Sequence, residues 1–120
     1  MTATIPAVGV DAFIAGLGRC GVEAAREGGV VTFSVEAVTR SGRKVVRTGV
    51  AAAELQAWPG VPPHWVHLPV GIQLTRTNAD ATETLPGWTR HSRDIQNWGN
   101  ATEPAQAWLA HVRSVLQEAL

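Results

Sequence analysis

Few side chains in this 120-residue chain could do chemistry: one cysteine, Cys20, four histidines, His64, His67, His91 and His111, and a polar run from Trp88 through Arg90, His91, Ser92 and Arg93 to Asp94. A nucleophilic thiol needs a cation, a histidine or a helix N-terminus beside it to lower its pKa. Cys20 falls late in an expected helix with only Arg19 and Arg26 near it in sequence, and reads as a small buried hydrophobe. His64 and His67 are three apart on an expected strand, a spacing that sends side chains to opposite faces, and no Cys, Asp or Glu pattern completes a zinc set. No metal site is expected. His111 lies inside a helical stretch and is expected at its exposed edge.

His91 has the richest sequence neighbourhood. Arg90, Ser92, Arg93 and Asp94 put a base, a hydroxyl, two cations and an orienting carboxylate within five residues. Catalytic partners converge from separate parts of a fold more often than from adjacent positions. Two readings therefore stand: His91 is a catalytic base, or the arginines and Asp94 lock the surrounding segment to the backbone. The tryptophans divide similarly. Trp58, Trp65, Trp88, Trp98 and Trp108 can each bury roughly 150–250 Å² as anchors, or one of them can form an interface hot spot beside an arginine. The candidate binding set is Trp88, Arg90, His91, Arg93 and Trp98. No GxGxxG or GxxxxGK[ST] run cradles a phosphate, so no nucleotide or other cofactor is expected.

These residues need elements to position them. Apolar residues Val10, Phe13, Ile14, Leu17 and Ala24 recur at helical spacing, and Asp11 and Gly28-Gly29 are read as its start and stop, which predicts a helix over residues 11–27. Gly16, Gly18 and Gly21 lower its propensity by up to about 1 kcal/mol each. The period then becomes two, with Val31, Phe33, Val35 and Ala37 on one face, and residues 44–50 return after the turn Arg40-Ser41-Gly42-Arg43 as a hairpin. The prolines of residues 58–63 make a stiff crossing. Residues 64–68 and 71–75 read as short strands. Residues 77–103 show no period, and their tryptophans argue for an ordered loop over disorder. Trp108, Leu109, Val112, Val115, Leu116 and Ala119 form an apolar stripe on a closing helix over residues 103–119, with Thr102 as its cap. The expectation is a single α+β domain over residues 1–120: an N-terminal helix, an antiparallel sheet of three to four strands, a long ordered loop and a C-terminal helix.

Composition narrows the function classes. Apolar residues make up 45% and charged residues 17%, with ten basic side chains against ten acidic ones, so nucleic acid and anionic membrane surfaces are disfavoured as partners. No apolar run approaches the roughly 20 residues of a membrane span. The first residues lack a basic region ahead of an apolar stretch, and one cysteine allows no internal disulfide; a cytoplasmic protein is expected. Lys44 is the only lysine.

The string Trp58-Pro59-Gly60-Val61-Pro62-Pro63-His64-Trp65-Val66-His67-Leu68 resembles the "YPxxPP" crossing, and the strand behind it, of the ubiquitin-conjugating E2 (UBC-like) superfamily. Pro86-Gly87-Trp88-Thr89-Arg90-His91-Ser92-Arg93, followed by Trp98, resembles the "W…SRH…W" signature of the bacterial proteins called prokaryotic E2 family E, with the order here His-Ser-Arg. The resemblance covers residues 10–119 in architecture and about twenty residues in motif. It implies a UBC-like fold and a place in a bacterial ubiquitin-like system, beside an E1-like adenylating enzyme, a metal-dependent peptidase and a ubiquitin-like modifier. In that family a cysteine follows a His-Pro-Asn motif whose asparagine stabilises the oxyanion. Here Asn78 follows Arg76-Thr77, residues 79–90 hold no cysteine, and Cys20 cannot take that place. The resemblance thus implies an E2-like component that binds a ubiquitin-like protein or an E1-like enzyme without thioester transfer. Its rivals are an E2-like transfer enzyme using His91 or His67, and an unrelated adaptor or immunity protein.

Overall fold

The computed structural model describes residues 8–119 apart from 73, 75–77, 97 and 101. Along the chain run α1 (Val10–Arg19), β1 (Ala24–Glu27), β2 (Val30–Thr39), β3 (Gly42–Ala51), β4 (Trp65–Pro69), β5 (Ala79–Asp80), β6 (Trp88–Ser92) and α2 (Pro104–Leu116). Short 3-10 turns lie at Ala52–Leu55 and Trp98–Asn100. The strands form one antiparallel sheet in the order β1-β2-β3-β4-β6-β5. The α+β class and the two terminal helices agree with the sequence reading; the sheet has six strands where three to four were expected.

The first extra strand comes from the end of α1. Gly21 adopts φ +80, its N–H bonds to the Gly18 carbonyl and the Val22 N–H to the Leu17 carbonyl, the paired closure that a left-handed glycine gives a helix C-terminus. The helix therefore stops at Arg19, well short of residue 27. Residues 24–27 are left to pair with β2, and Gly28-Gly29, both at positive φ, form the two-residue turn between Glu27 and Val30. The β2–β3 hairpin falls where alternation predicts it, closed at Thr39 and Gly42.

The other two extra strands, β5 and β6, come from the segment expected to be an irregular loop. The strand expected over 71–75 is absent at residues 71, 72 and 74, while 73 and 75 lie outside the described residues. The closing helix starts one residue past Glu103, with Pro104 in its first turn, so Thr102 is not its cap.

Both helices cover one face of the sheet. Phe13 and Leu17 from α1 and Trp108, Leu109, Val112 and Leu116 from α2 pack on Val31, Phe33, Val35, Val46, Val50, Val66 and Leu68. The helices approach closely at Gly16, where an added Cβ would lie 2.9 Å from that of Ala105. Each large side chain fully buried here contributes about 1.5–3 kcal/mol, which offsets the low helix propensity of a glycine-bearing α1. Cys20 is half-buried at the end of α1 and packs against this core.

Candidate functional site

Strand β6 splits the predicted binding residues between two faces. Its register places Trp88, Arg90 and Ser92 opposite Pro69, His67 and Trp65, while Thr89 and His91 lie opposite Leu68 and Val66. Because side chains alternate along a strand, Trp88, Arg90 and Ser92 face away from the helices. His91 faces the core side with Val66 and is 4% exposed. Trp98 packs against the core: its indole N–H donates to the Pro59 carbonyl at 2.7 Å and its ring lies 5.2 Å from that of Trp58. Arg93, just past β6, forms an ion pair with Glu118. The five therefore do not form one surface; Trp88 and Arg90 share a face, joined by Trp65, which the sequence did not single out beside them.

Arg90 is the best-held side chain of that face. Its guanidinium lies 4.1 Å over the Trp65 ring and bonds both Asp80 oxygens, at 2.8 and 3.3 Å, as well as Glu83 and Thr82. The Thr82 N–H and hydroxyl also donate to Asp80 Oδ1. Arg90 and Thr82 together hold the Asp80 carboxyl well below the usual carboxylate range. Planar, bidentate recognition with a ring beneath it is an arrangement that suits arginine and not lysine. It fastens residues 79–84 across the outer face of the sheet.

Fastening that segment buries His67. Its Nδ1 is 2.7 Å from the Thr84 hydroxyl, Nε2 has no hydrogen-bond partner among the described residues, and the side chain is 0% exposed. Burial, reinforced by the Arg90 cation and opposed by Asp80, moves its pKa from 6.5 down to about 4. Burial also lowers the pKa of His91. Both imidazoles are therefore neutral at pH 7, and neither can meet a substrate without displacing its cover. Burial lowers the pKa of His111 as well, and its ring lies 5.2 Å from the Trp108 ring. Asn78 is exposed, and its carbonyl accepts the Ser92 N–H at 2.8 Å.

The histidine that does meet a hydroxyl and a carboxylate is His64, immediately before β4. Its Nε2 bonds the Ser92 hydroxyl, and its Nδ1 lies 2.9 Å from Asp94 Oδ1. The backbone sets this meeting: the Arg93 N–H donates to the His64 carbonyl at 3.1 Å, extending the β4–β6 ladder by one step and bringing the three side chains together. The Glu54 carboxylate accepts the His64 N–H from the other side at 3.0 Å. Ser92 and Asp94 were thus recognised as chemically suggestive in the sequence, but their histidine comes from 28 residues earlier. A proline pair delivering a histidine to the start of a strand was the available signal. Its target could not be read without the pairing register.

Exposure weighs on what this arrangement is for. The His64 and Asp94 side chains are 44% and 79% exposed, and ion pairs in that setting contribute about 0–1 kcal/mol. Asp94 also borders a groove of about 520 Å³ on the side of α2, where the apolar Ile95, Trp98 and Ala110 alternate with the polar Arg93, Gln96, His111 and Ser114. Among the described residues, no group of three or more His, Cys, Asp or Glu side chains is placed to hold a metal ion. No helix among them is long and apolar enough to cross a membrane. No family model, curated protein or solved structure matches this chain.

Proposed function

We propose that this chain is a UBC-like, E2-like domain that binds a ubiquitin-like modifier, or the E1-like enzyme that activates it, without carrying the modifier as a thioester. The observation that supports this most is the succession of α1, the antiparallel β1-β2-β3 meander, the proline-rich crossing into β4 and the closing α2. The stretch after β4, where an E2 would hold its cysteine, carries β5 and β6 and no thiol. Cys20 packs against the core at the end of α1, an environment that favours a structural thiol over a nucleophilic one. The docking face in this reading is the outward side of β4 and β6, where Trp65 and Trp88 are stacked by Arg90 and Arg47. Half-exposed tryptophan with arginine is the composition of interface hot spots.

The test is to combine the purified chain with a ubiquitin-like modifier and an E1-like enzyme from the same genome, with and without ATP. The expected result is a complex with one of them, weakened at least about tenfold by Trp88→Ala, and no adduct sensitive to reductant. A reductant-sensitive adduct on Cys20 would overturn the non-thioester reading. Failure to bind either protein would overturn the E2-like reading altogether.

A further inference from the structure

We infer that Ser92, His64 and Asp94 form an acyl-accepting site for esters and thioesters of small carboxylic acids. The atoms are connected as a serine nucleophile requires: hydroxyl to Nε2, and Nδ1 to carboxylate. A carboxylate on Nδ1 holds the proton there and leaves Nε2 as the acceptor for the serine proton. The three residues come from two strand ends brought into register, not from one stretch of chain. His64 and Asp94 are exposed and Ser92 is half-buried, so a small acyl reagent can reach the network from solvent. Catalytic roles fall to Ser92 and His64; Asp94 acts through His64 as a positioning residue.

In the first step the Ser92 oxygen adds to the acyl carbonyl carbon while Nε2 takes the serine proton. The tetrahedral adduct then collapses, its bond to the leaving alkoxide or thiolate breaks, and the proton on Nε2 passes to that group. Water, deprotonated by the same nitrogen, returns the acyl group as the carboxylic acid and restores the serine. The Ser92 and Arg93 N–H groups already donate to the Asn78 and His64 carbonyls, so neither is free to stabilise an oxyanion. A missing oxyanion donor costs about 10²–10³ in rate. Slow turnover is therefore expected, and covalent capture is the more sensitive readout.

This inference does not rest on the E2-like reading, because small reagents test it without any modifier. The full chain is treated with a biotinylated fluorophosphonate, in which the Ser92 oxygen forms a bond to phosphorus and fluoride leaves, and the adduct is located by mass spectrometry. Capture at Ser92 is expected, abolished by Ser92→Ala and slowed about 100-fold or more by His64→Gln. Asp94→Asn should slow it about tenfold or more, Asp94→Glu should restore part of the rate, and the ¹⁵N shifts of the His64 ring should report loss of the Nδ1-H tautomer in Asp94→Asn alone. Thermal melts confirm that each variant is folded, and Asp94→Asn changes a side chain too exposed to unfold the chain. Absence of capture in the folded wild type, capture at another residue, or an equal rate in folded His64→Gln overturns the proposal.

Discussion

Acidification from pH 7 to pH 4 should weaken the fold through His67 by an amount that can be worked out. The imidazole is sealed between Thr84 and the sheet, and its pKa falls to about 4 against an unfolded value of 6.5. The unfolded chain therefore takes up a proton as the pH drops through 6.5, while the folded chain refuses it until about 4. Stability is complete above 6.5, declines between those values and loses nothing further below the lower one. At 1.36 kcal/mol per pH unit, the loss is about 2 kcal/mol by pH 5 and about 3 kcal/mol by pH 4. That is a large share of the 5–15 kcal/mol that typically holds a domain together. His91 and His111 are also lowered by burial and act in the same direction, so the His67 share must be isolated. His67→Gln can still bond Thr84 but cannot titrate. Urea unfolding of both proteins at matched ionic strength should show the wild-type advantage shrinking by about 3 kcal/mol from pH 7 to pH 4. A difference constant to within about 0.5 kcal/mol, beyond the error of extrapolation, or one that grows on acidification, would refute the argument.

Arg90→Gln removes the fork that holds Asp80 and Thr82, so amide exchange in residues 79–87 should accelerate about tenfold or more while that of β2 and β3 stays unchanged; equal exchange would show that the segment is held by other means. Gly49→Ala should destabilise by about 1–3 kcal/mol despite alanine's advantage over glycine in a strand, because the new Cβ would lie 2.8 Å from both the Val31 carbonyl oxygen and Val30 Cγ1; urea midpoints measure it. Trp98→Phe keeps a ring beside Trp58 but loses the bond to the Pro59 carbonyl, a cost of about 1 kcal/mol, checked by calorimetry as a lower melting temperature.

What could be read in the sequence follows from where burial is one-sided. Strand β2 packs one face on the helices, and Val31, Phe33, Val35 and Ala37 alternate accordingly. The apolar stripe of α2 was legible for the same reason. The end of α1 differs from the expectation because Gly28-Gly29 reads as the stop and Gly21 only as a weak helix former, whereas the carbonyls closed by Gly21 and Val22 end the helix there. β1 then followed from that stop and had no pattern of its own: the residues 24–27 are almost all exposed.

β6 was hidden for a different reason, and the same reason bears on function. Its inward residues, Thr89 and His91, are polar, and its outward residues, Trp88, Arg90 and Ser92, meet a folded-back segment, an aromatic ring and a histidine instead of bare solvent. With polar groups on both faces, no period-two signal survives. Yet the outward three divide their roles along the strand. Arg90 at the centre clamps residues 79–84, leaving Trp88 at one end with Arg47 and Ser92 at the other with His64. Four residues of antiparallel strand separate those ends by about 13–14 Å, farther than changes at one end normally couple to the other. Trp88→Ala should therefore impair partner binding while leaving fluorophosphonate capture at Ser92 intact, and Ser92→Ala the converse. Loss of both properties in Trp88→Ala, with the fold retained, would mean that the two ends of β6 work as one site.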